Sequence, residues 1–132
     1  MNKKSIEKLI PRAKEQIEKQ LAQNGIVDST YRGYIASFGA AVLQSGLMPA
    51  VAFYSSNKSA KGDRNRLMSM IKELIDVDNK NEESLFDYIQ KRVRRGTSIR
   101  HMQEEVINAA ISIKLAMGLF EMKQGDGGKL DE

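Results

Sequence analysis

The stretch from residue 34 to residue 58 constrains the fold more than any other part of this 132-residue chain. Its apolar residues recur at helical spacing on both sides of a short break. At the break, Gly46 can take the positive φ that ends a helix, and Pro49 has the fixed φ that suits the first turn of the next helix. We therefore predict a buried helical hairpin whose inward-facing side chains are Tyr34, Ile35, Phe38, Val42, Leu47, Val51 and Phe53.

Helical spacing of apolar residues covers the rest of the chain as well, and we find no alternating strand pattern. It predicts an all-α fold, a compact bundle of about six helices with a long central C-terminal helix. The predicted helices are residues 5–24, 29–45, 48–56, 64–75, 82–94 and 98–123, within a single domain at residues 1–124. Residues 125–132 are predicted to form a disordered tail.

The last predicted helix carries two apolar stripes side by side. Ile99, Met102 and Val106 begin the first, and the second consists of Ile107, Ile111, Leu115 and Leu119. A helix that is apolar over this width is central to a bundle or shared with another subunit. On the preceding helix, Val93 is predicted to face inward.

The charge of the chain favours a polyanionic partner. The formal net charge is +4 and the pI is about 9.3. Basic residues concentrate at residues 1–24 and 91–101, and acidic residues gather at Asp76, Asp78, Glu82, Glu83 and Asp87. We expect the molecule to have a basic end and an acidic end.

The sequence offers no signal for secretion or membrane insertion. It contains no Cys, which excludes disulfides and thiolate metal sites and fits a reducing compartment. We find no signal peptide and no run of about 20 apolar residues that would span a membrane. A cytoplasmic location is therefore expected.

Catalytic and metal-ligating patterns are also lacking. His101 is the only His, so a Ser-His-Asp arrangement, a His-pair metal site or an HExxH helix is either impossible or severely short of ligands. Residues 76–83 lack the central Gly of a calcium loop and place Lys80 where an oxygen ligand is needed. We predict no catalytic residue, metal or cofactor, an exposed or capping role for His101, and surface positions for Glu104 and Glu105.

Basic residues remain as candidates for binding. Lys91, Arg94 and Arg95 fall on the outer face of the fifth helix, and Arg100 lies just across the following turn. A second group flanks the start of the fourth helix, where free N–H groups also favour an anion: Lys58, Lys61, Arg64 and Arg66. Few aromatic residues interleave with these charges, so we predict sequence-independent contact with an RNA backbone and little base stacking. For each residue the alternative is a solvated surface charge.

The hairpin carries a resemblance to a known family. Tyr34, Ser37, Phe38 and then the segment from Gly46 to Phe53 resemble the pattern Tyr-x-x-Ser-Phe … Gly-Leu-x-x-Ala-x-Ala-Phe of the small subunit of type III-B (Cmr) CRISPR effector complexes. A weaker likeness continues in INAAISIKLAMGLFE, which bears Lys114.

The resemblance implies a compact helical, non-catalytic subunit. Several copies would stack head to tail beside the backbone subunit of the effector and help to hold the duplex of guide RNA and target RNA. Three alternatives stay open: the small subunit of a type III-A complex, a helical protein-protein adaptor that binds no nucleic acid, and a nuclease. The nuclease has the least support because ligands for a metal are missing.

Overall fold

The fold is an all-α bundle, as the periodicity predicts. A computed structural model of the protein describes residues 2–56, 58–59, 62–77 and 82–123. Its six helices are α1 Lys3–Gln20, α2 Thr30–Ser45, α3 Leu47–Ser56, α4 Arg64–Ile75, α5 Leu85–Arg94 and α6 Ile99–Met117. Four short strands accompany them: β1 Ile26–Asp28, β2 Lys58–Ser59, β3 Gly62–Asp63 and β4 Glu121–Lys123. The predicted tail lies outside the described residues, so the division at residue 124 stays a prediction.

Short polar side chains cap the start of four helices, beginning with Asn2 at α1, whose Oδ1 accepts a hydrogen bond from the Ser5 amide. Asp63 accepts a hydrogen bond from the Asn65 amide at the start of α4, 3.0 Å away, and Ser98 accepts one from the His101 amide at the start of α6. Each bond satisfies a backbone N–H that has no partner within the helix. Helix α5 begins three residues later than predicted because Ser84 is its cap.

The predicted hairpin of α2 and α3 is confirmed at its break. Gly46 has φ 98° and ψ 161°, a backbone region that residues with a side chain rarely occupy, and its amide donates to the Val42 carbonyl oxygen at 2.9 Å. Pro49 falls in the first turn of α3, as expected.

The predicted inner face of α3 is wrong at its last position. Phe53 is 51% exposed, and the next residue, Tyr54, is buried against Phe38. Successive helical residues point about 100° apart, so an inner face that starts at Leu47 and continues through Val51 reaches position 54 and not position 53.

Helices α1 and α6 make the most extensive contact of any two helices described and run in the same direction. The Asn2 amide donates to Asn108 Oδ1 at 3.1 Å, and Ser112 Oγ donates to the Ile6 carbonyl oxygen at 3.2 Å. Between these contacts α6 buries small residues such as Ala109. Small side chains permit this close approach, so α6 has the central place that its apolar width predicts.

Helix α4 runs antiparallel to α1 on another side of the bundle. Arg12 donates to the carbonyl oxygens of Glu73 and Leu74 near the end of α4, at 2.9 and 3.1 Å. At the other end, Arg66 donates to the Gln20 carbonyl oxygen at 2.8 Å. These bonds satisfy terminal carbonyl groups that have no partner in their own helices.

The structure shortens α1 and α6 relative to the predictions and adds strands. Helix α1 ends at Gln20, and a turn with positive φ at Asn24 and Gly25 leads into β1. Helix α6 ends at Met117, and β4 follows it and pairs in parallel with β1, so that Val27 lies opposite Met122. A three-residue strand is too short to show an alternating pattern, so the sequence could not reveal this pairing.

Several apolar side chains that were predicted to face inward are exposed. Leu115 and Leu119 of the second stripe are 53% and 60% exposed, and Ile99 and Val93 are also on the surface. The other two members of that stripe, Ile107 and Ile111, are partly buried. The stripe therefore lies at the edge of the core, and the rest of the bundle covers its first half and leaves Leu115 and Leu119 exposed. None of the helices in the described ranges is long and apolar enough to cross a membrane.

Candidate nucleic-acid interface

The turn between α5 and α6 presents three exposed guanidinium groups. Arg94 and Arg95 lie at the end of α5, and Arg100 lies in the first turn of α6. Gly96, with φ 110°, allows the sharp reversal that brings the two helix ends together. We call Arg94, Arg95 and Arg100 the basic corner. Within the described part of the chain, none of the three forms a salt bridge, so their charges face solvent.

Lys91 differs from the basic corner although it was predicted with it. Its Nζ lies 2.8 Å from Glu83 Oε2, and both side chains are less than one-third exposed. The segment before α5 thus folds back so that an acidic group neutralises this lysine. The predicted separation into a basic end and an acidic end is wrong here, because Glu83 lies directly against the basic helix.

Arg92, which the sequence did not single out, fastens α5 to α6. Its guanidinium donates to both carboxylate oxygens of Glu105, at 3.3 and 3.2 Å, and to the Tyr88 hydroxyl at 2.9 Å. Partial burial alone would lower the pKa of Arg92, but hydrogen bonds to Glu105 and Tyr88 outweigh it and raise that pKa. Arg92 therefore has a structural role: it holds the two helices that carry the basic corner.

His101 and Glu105 belong to the same network. His101 Nε2 lies 2.7 Å from Glu105 Oε2, and the His101 side chain is 56% exposed, which agrees with the predicted exposed or capping role. Glu105 was predicted to be a simple surface charge, and this is wrong because its carboxylate bridges Arg92 and His101. No group of three or more acidic or His side chains in the described segments is arranged to hold a metal ion.

The second predicted basic group does not form a row of free cations. Arg66 donates a hydrogen bond to the Gln20 carbonyl oxygen at the end of α1, and Arg64 lies against aromatic rings. The backbone of Lys58 lies in β2, and Lys61 lies outside the described residues. Of this group, Arg64 has the most distinctive surroundings.

Three aromatic rings surround the Arg64 guanidinium. Its Cζ lies 4.8 Å from the centre of the Phe53 ring and 5.7 Å from the centres of Tyr34 and Tyr54. Burial raises the pKa of Tyr54, although a hydrogen bond with Ser37 and the positive charge of Arg64 partly offset this. We call Tyr34, Phe53, Tyr54 and Arg64 the aromatic cluster. At Arg64 it corrects the expectation that aromatic residues rarely interleave with the basic ones.

The basic corner and the aromatic cluster lie toward opposite ends of α4. The Tyr88 hydroxyl donates to the Ile75 carbonyl oxygen at the end of α4. Arg92 lies one turn after Tyr88 on α5, donates to the same hydroxyl, and is followed two residues later by Arg94 of the basic corner. Arg64 is the first residue of α4. A helix of 12 residues is about 18 Å long, so the two sites can be altered independently.

These features define a small helical protein with exposed cationic sites and uncovered apolar side chains. The family model described as CRISPR-associated protein (Cas_Cmr5) matches residues 6–116, from the first turns of α1 almost to the end of α6. The chain belongs to this family, which makes it a CRISPR-associated subunit of the Cmr type and confirms the resemblance drawn from the hairpin. No curated protein and no solved structure matches the chain significantly.

Proposed function

We propose that this protein is a non-catalytic subunit of a type III-B Cmr effector that lines the path of the guide RNA and target RNA. Its partners would be the other Cmr subunits, in particular the backbone subunit and further copies of itself. Membership of the family supports the assignment to a Cmr complex. The basic corner is the observation that supports contact with RNA.

The chemistry of the basic corner suits a phosphate backbone. A guanidinium group is always charged and matches the geometry of a phosphate with two parallel hydrogen bonds. Arg94, Arg95 and Arg100 are exposed and have no acidic partner in the described segments, so binding would not first require breaking an ion pair. Such contacts do not read bases, and the interaction would be independent of sequence.

Exposed apolar side chains support contacts with protein neighbours. Leu43 on α2 is 75% exposed, and Leu115 and Leu119 at the end of α6 are more than half exposed. Burial in a subunit interface would remove this apolar surface from water. Stacking of several copies head to tail would use two different surfaces, and Leu43 lies on α2 whereas Leu115 lies on α6.

We expect the isolated protein to bind single-stranded RNA weakly and in a salt-dependent way. One copy engages only a few phosphates, so log K should fall with log salt by about 0.7 for each phosphate engaged. Changing Arg94, Arg95 and Arg100 together to Glu should weaken binding and flatten this slope, measured by fluorescence anisotropy across a salt series.

A matched control separates local contacts from total charge. Lys3, Lys4 and Lys8 are exposed on α1, and changing these three to Glu alters the net charge by the same amount. We expect the control variant to keep most of the salt slope. Equal weakening by both variants would mean that RNA responds only to net charge, which would contradict a site at the basic corner.

We also expect no cleavage of RNA by the isolated protein with Mg²⁺ or Mn²⁺. Cleavage assisted by a metal needs carboxylate or His ligands that converge on one point, and the described residues offer no such group. Incubation of labelled single-stranded RNA with the purified protein measures this. Cleavage that remains in constant proportion to the protein through gel filtration would contradict the non-catalytic role.

A further inference from the structure

Phe53 is an exposed aromatic residue with a cation held against it. Half of its surface is open to solvent, and the Arg64 guanidinium lies 4.8 Å from the centre of its ring. The neighbouring Tyr54 ring meets Phe53 edge to face at 5.6 Å, with an angle of 69° between the ring planes. Tyr54 is itself anchored in the core by its edge contact with Phe38. The Phe53 ring is therefore supported from beneath while part of it stays accessible.

Among the residues that the structure describes, no acidic side chain neutralises the charge on Arg64. Its sequence neighbour Asp63 caps α4, accepting a hydrogen bond from the Asn65 amide, and no salt bridge involves Arg64 in the part of the chain that the structure describes. Arg64 Nε is buried and has no hydrogen-bond partner there. The guanidinium is thus fixed by its aromatic neighbours, and its positive charge stays available to an anion.

We propose that Phe53 and Arg64 form a stacking platform for an unpaired nucleotide of single-stranded RNA. The base would stack on the accessible part of the Phe53 ring, and the Arg64 charge would attract an adjacent phosphate. This combination of an aromatic face and a cation is the one that proteins use to bind single strands without reading their sequence. The proposal rests on the proposed RNA-lining function and adds to it a site for bases at the first turn of α4, apart from the basic corner at the turn between α5 and α6.

An unpaired nucleotide fits this site better than a duplex does. Bases inside a duplex are stacked on one another and do not offer a free face, whereas unpaired bases readily stack on aromatic or guanidinium groups. The platform also differs from an ordinary apolar docking surface, because its centre is a charged group that has no acidic partner in the described segments. A protein segment that docks on Phe53 is the alternative, and the experiment below includes it.

The test compares normal single-stranded RNA with abasic RNA of the same length, which keeps the phosphates and lacks the bases. Phe53→Ala should weaken binding of normal RNA by about 5- to 150-fold, the usual effect of losing one base stacked on an aromatic ring. The variant should bind abasic RNA as the wild type does. Phe53→Trp, which keeps a stacking surface, should retain binding of normal RNA. Fluorescence anisotropy and thermal unfolding of the same samples give the affinities and show that the variants are folded.

Four outcomes would overturn the platform. If Phe53→Ala lost equal affinity for normal and abasic RNA, Phe53 would affect binding only by supporting the fold and not by stacking on a base. Unchanged binding of normal RNA by Phe53→Ala, while the basic-corner variant binds less, would remove the platform and leave the proposed function intact. Unchanged RNA binding together with failure of Phe53→Ala to join other Cmr subunits would make Phe53 a protein contact. Wild-type protein that binds neither RNA, alone or in the assembled complex, would overturn the proposed function as well.

Discussion

Phe38→Ala is expected to lower the free energy of unfolding by about 3 to 5 kcal/mol, and Phe53→Ala by about 1 kcal/mol or less. Phe38 is completely buried and meets the Tyr54 ring edge to face at 5.3 Å, so its removal leaves a cavity in the core. Phe53 is half exposed, so its replacement leaves no enclosed cavity and removes contacts at the surface, including those with Arg64 and with the Tyr54 ring. Denaturant unfolding of both variants measures the difference.

The pair of variants tests how the hairpin packs. Both lose the same side chain, so the comparison isolates the effect of position. If Phe53→Ala were as damaging as Phe38→Ala, Phe53 would have to be buried, and the orientation of α3 described above would be wrong.

Lys72→Ala is expected to destabilise the protein by about 3 to 5 kcal/mol, the usual cost of leaving one charge of a buried pair without its partner. Lys72 Nζ lies 3.0 Å from Asp76 Oδ2, and the two side chains are only 5% and 12% exposed. Lys72 Nζ also lies 6.0 Å from the centre of the Tyr88 ring, which links this pair to α5. Urea unfolding at neutral pH gives the change.

Two further variants make this expectation specific. Replacing both charged residues, as Lys72→Met with Asp76→Leu, should recover most of the loss because no unpaired charge remains. Lys14→Ala removes an exposed pair with the same spacing, Lys14 and Glu18, and should cost about 0.5 kcal/mol or less. A Lys72→Ala variant as stable as Lys14→Ala would contradict the buried position of this pair.

Much of the fold follows from local rules that the sequence displays. Helix α4 occupies residues 64–75 as predicted, and Gly46 ends α2 at the predicted residue. Ser98 marks the start of α6 because a short polar side chain there satisfies free N–H groups. These features depend on residues within one or two turns of each other, so the periodic pattern and the caps are sufficient to predict them.

Errors arise where distant parts of the chain meet. The end of α6 depends on β4 pairing with β1, almost 100 residues earlier in the chain, and the periodicity of α6 carries no sign of it. The assignment of Phe53 is an error of another kind, because the helical spacing of Leu47 and Val51 already leads to position 54, where Tyr54 packs against Phe38 of α2.

The candidate site divides in the same way. The basic corner was predicted because its three residues are close in sequence. In contrast, Lys91 on α5 pairs with Glu83, which precedes the first residue of that helix. Arg64 contacts Tyr34, which lies 30 residues earlier in the chain. Charge counts identify candidates, but only the fold shows which charges are already neutralised.

The central claim is that the protein lines RNA within a Cmr effector, and capture of target RNA by a reconstituted complex tests it most directly. Complexes would contain wild-type subunit, the basic-corner variant with Arg94, Arg95 and Arg100 changed to Glu, or the control variant of α1. Native mass spectrometry checks that each complex contains the same number of copies of this subunit. Several copies pool their contacts through effective concentration, so the basic-corner variant should reduce capture by about tenfold or more, and the control should not. A second variant would also change Arg64 and Arg66 to Glu. If both variants captured target RNA as well as the wild type does, the result would contradict the claim and favour a protein-protein adaptor.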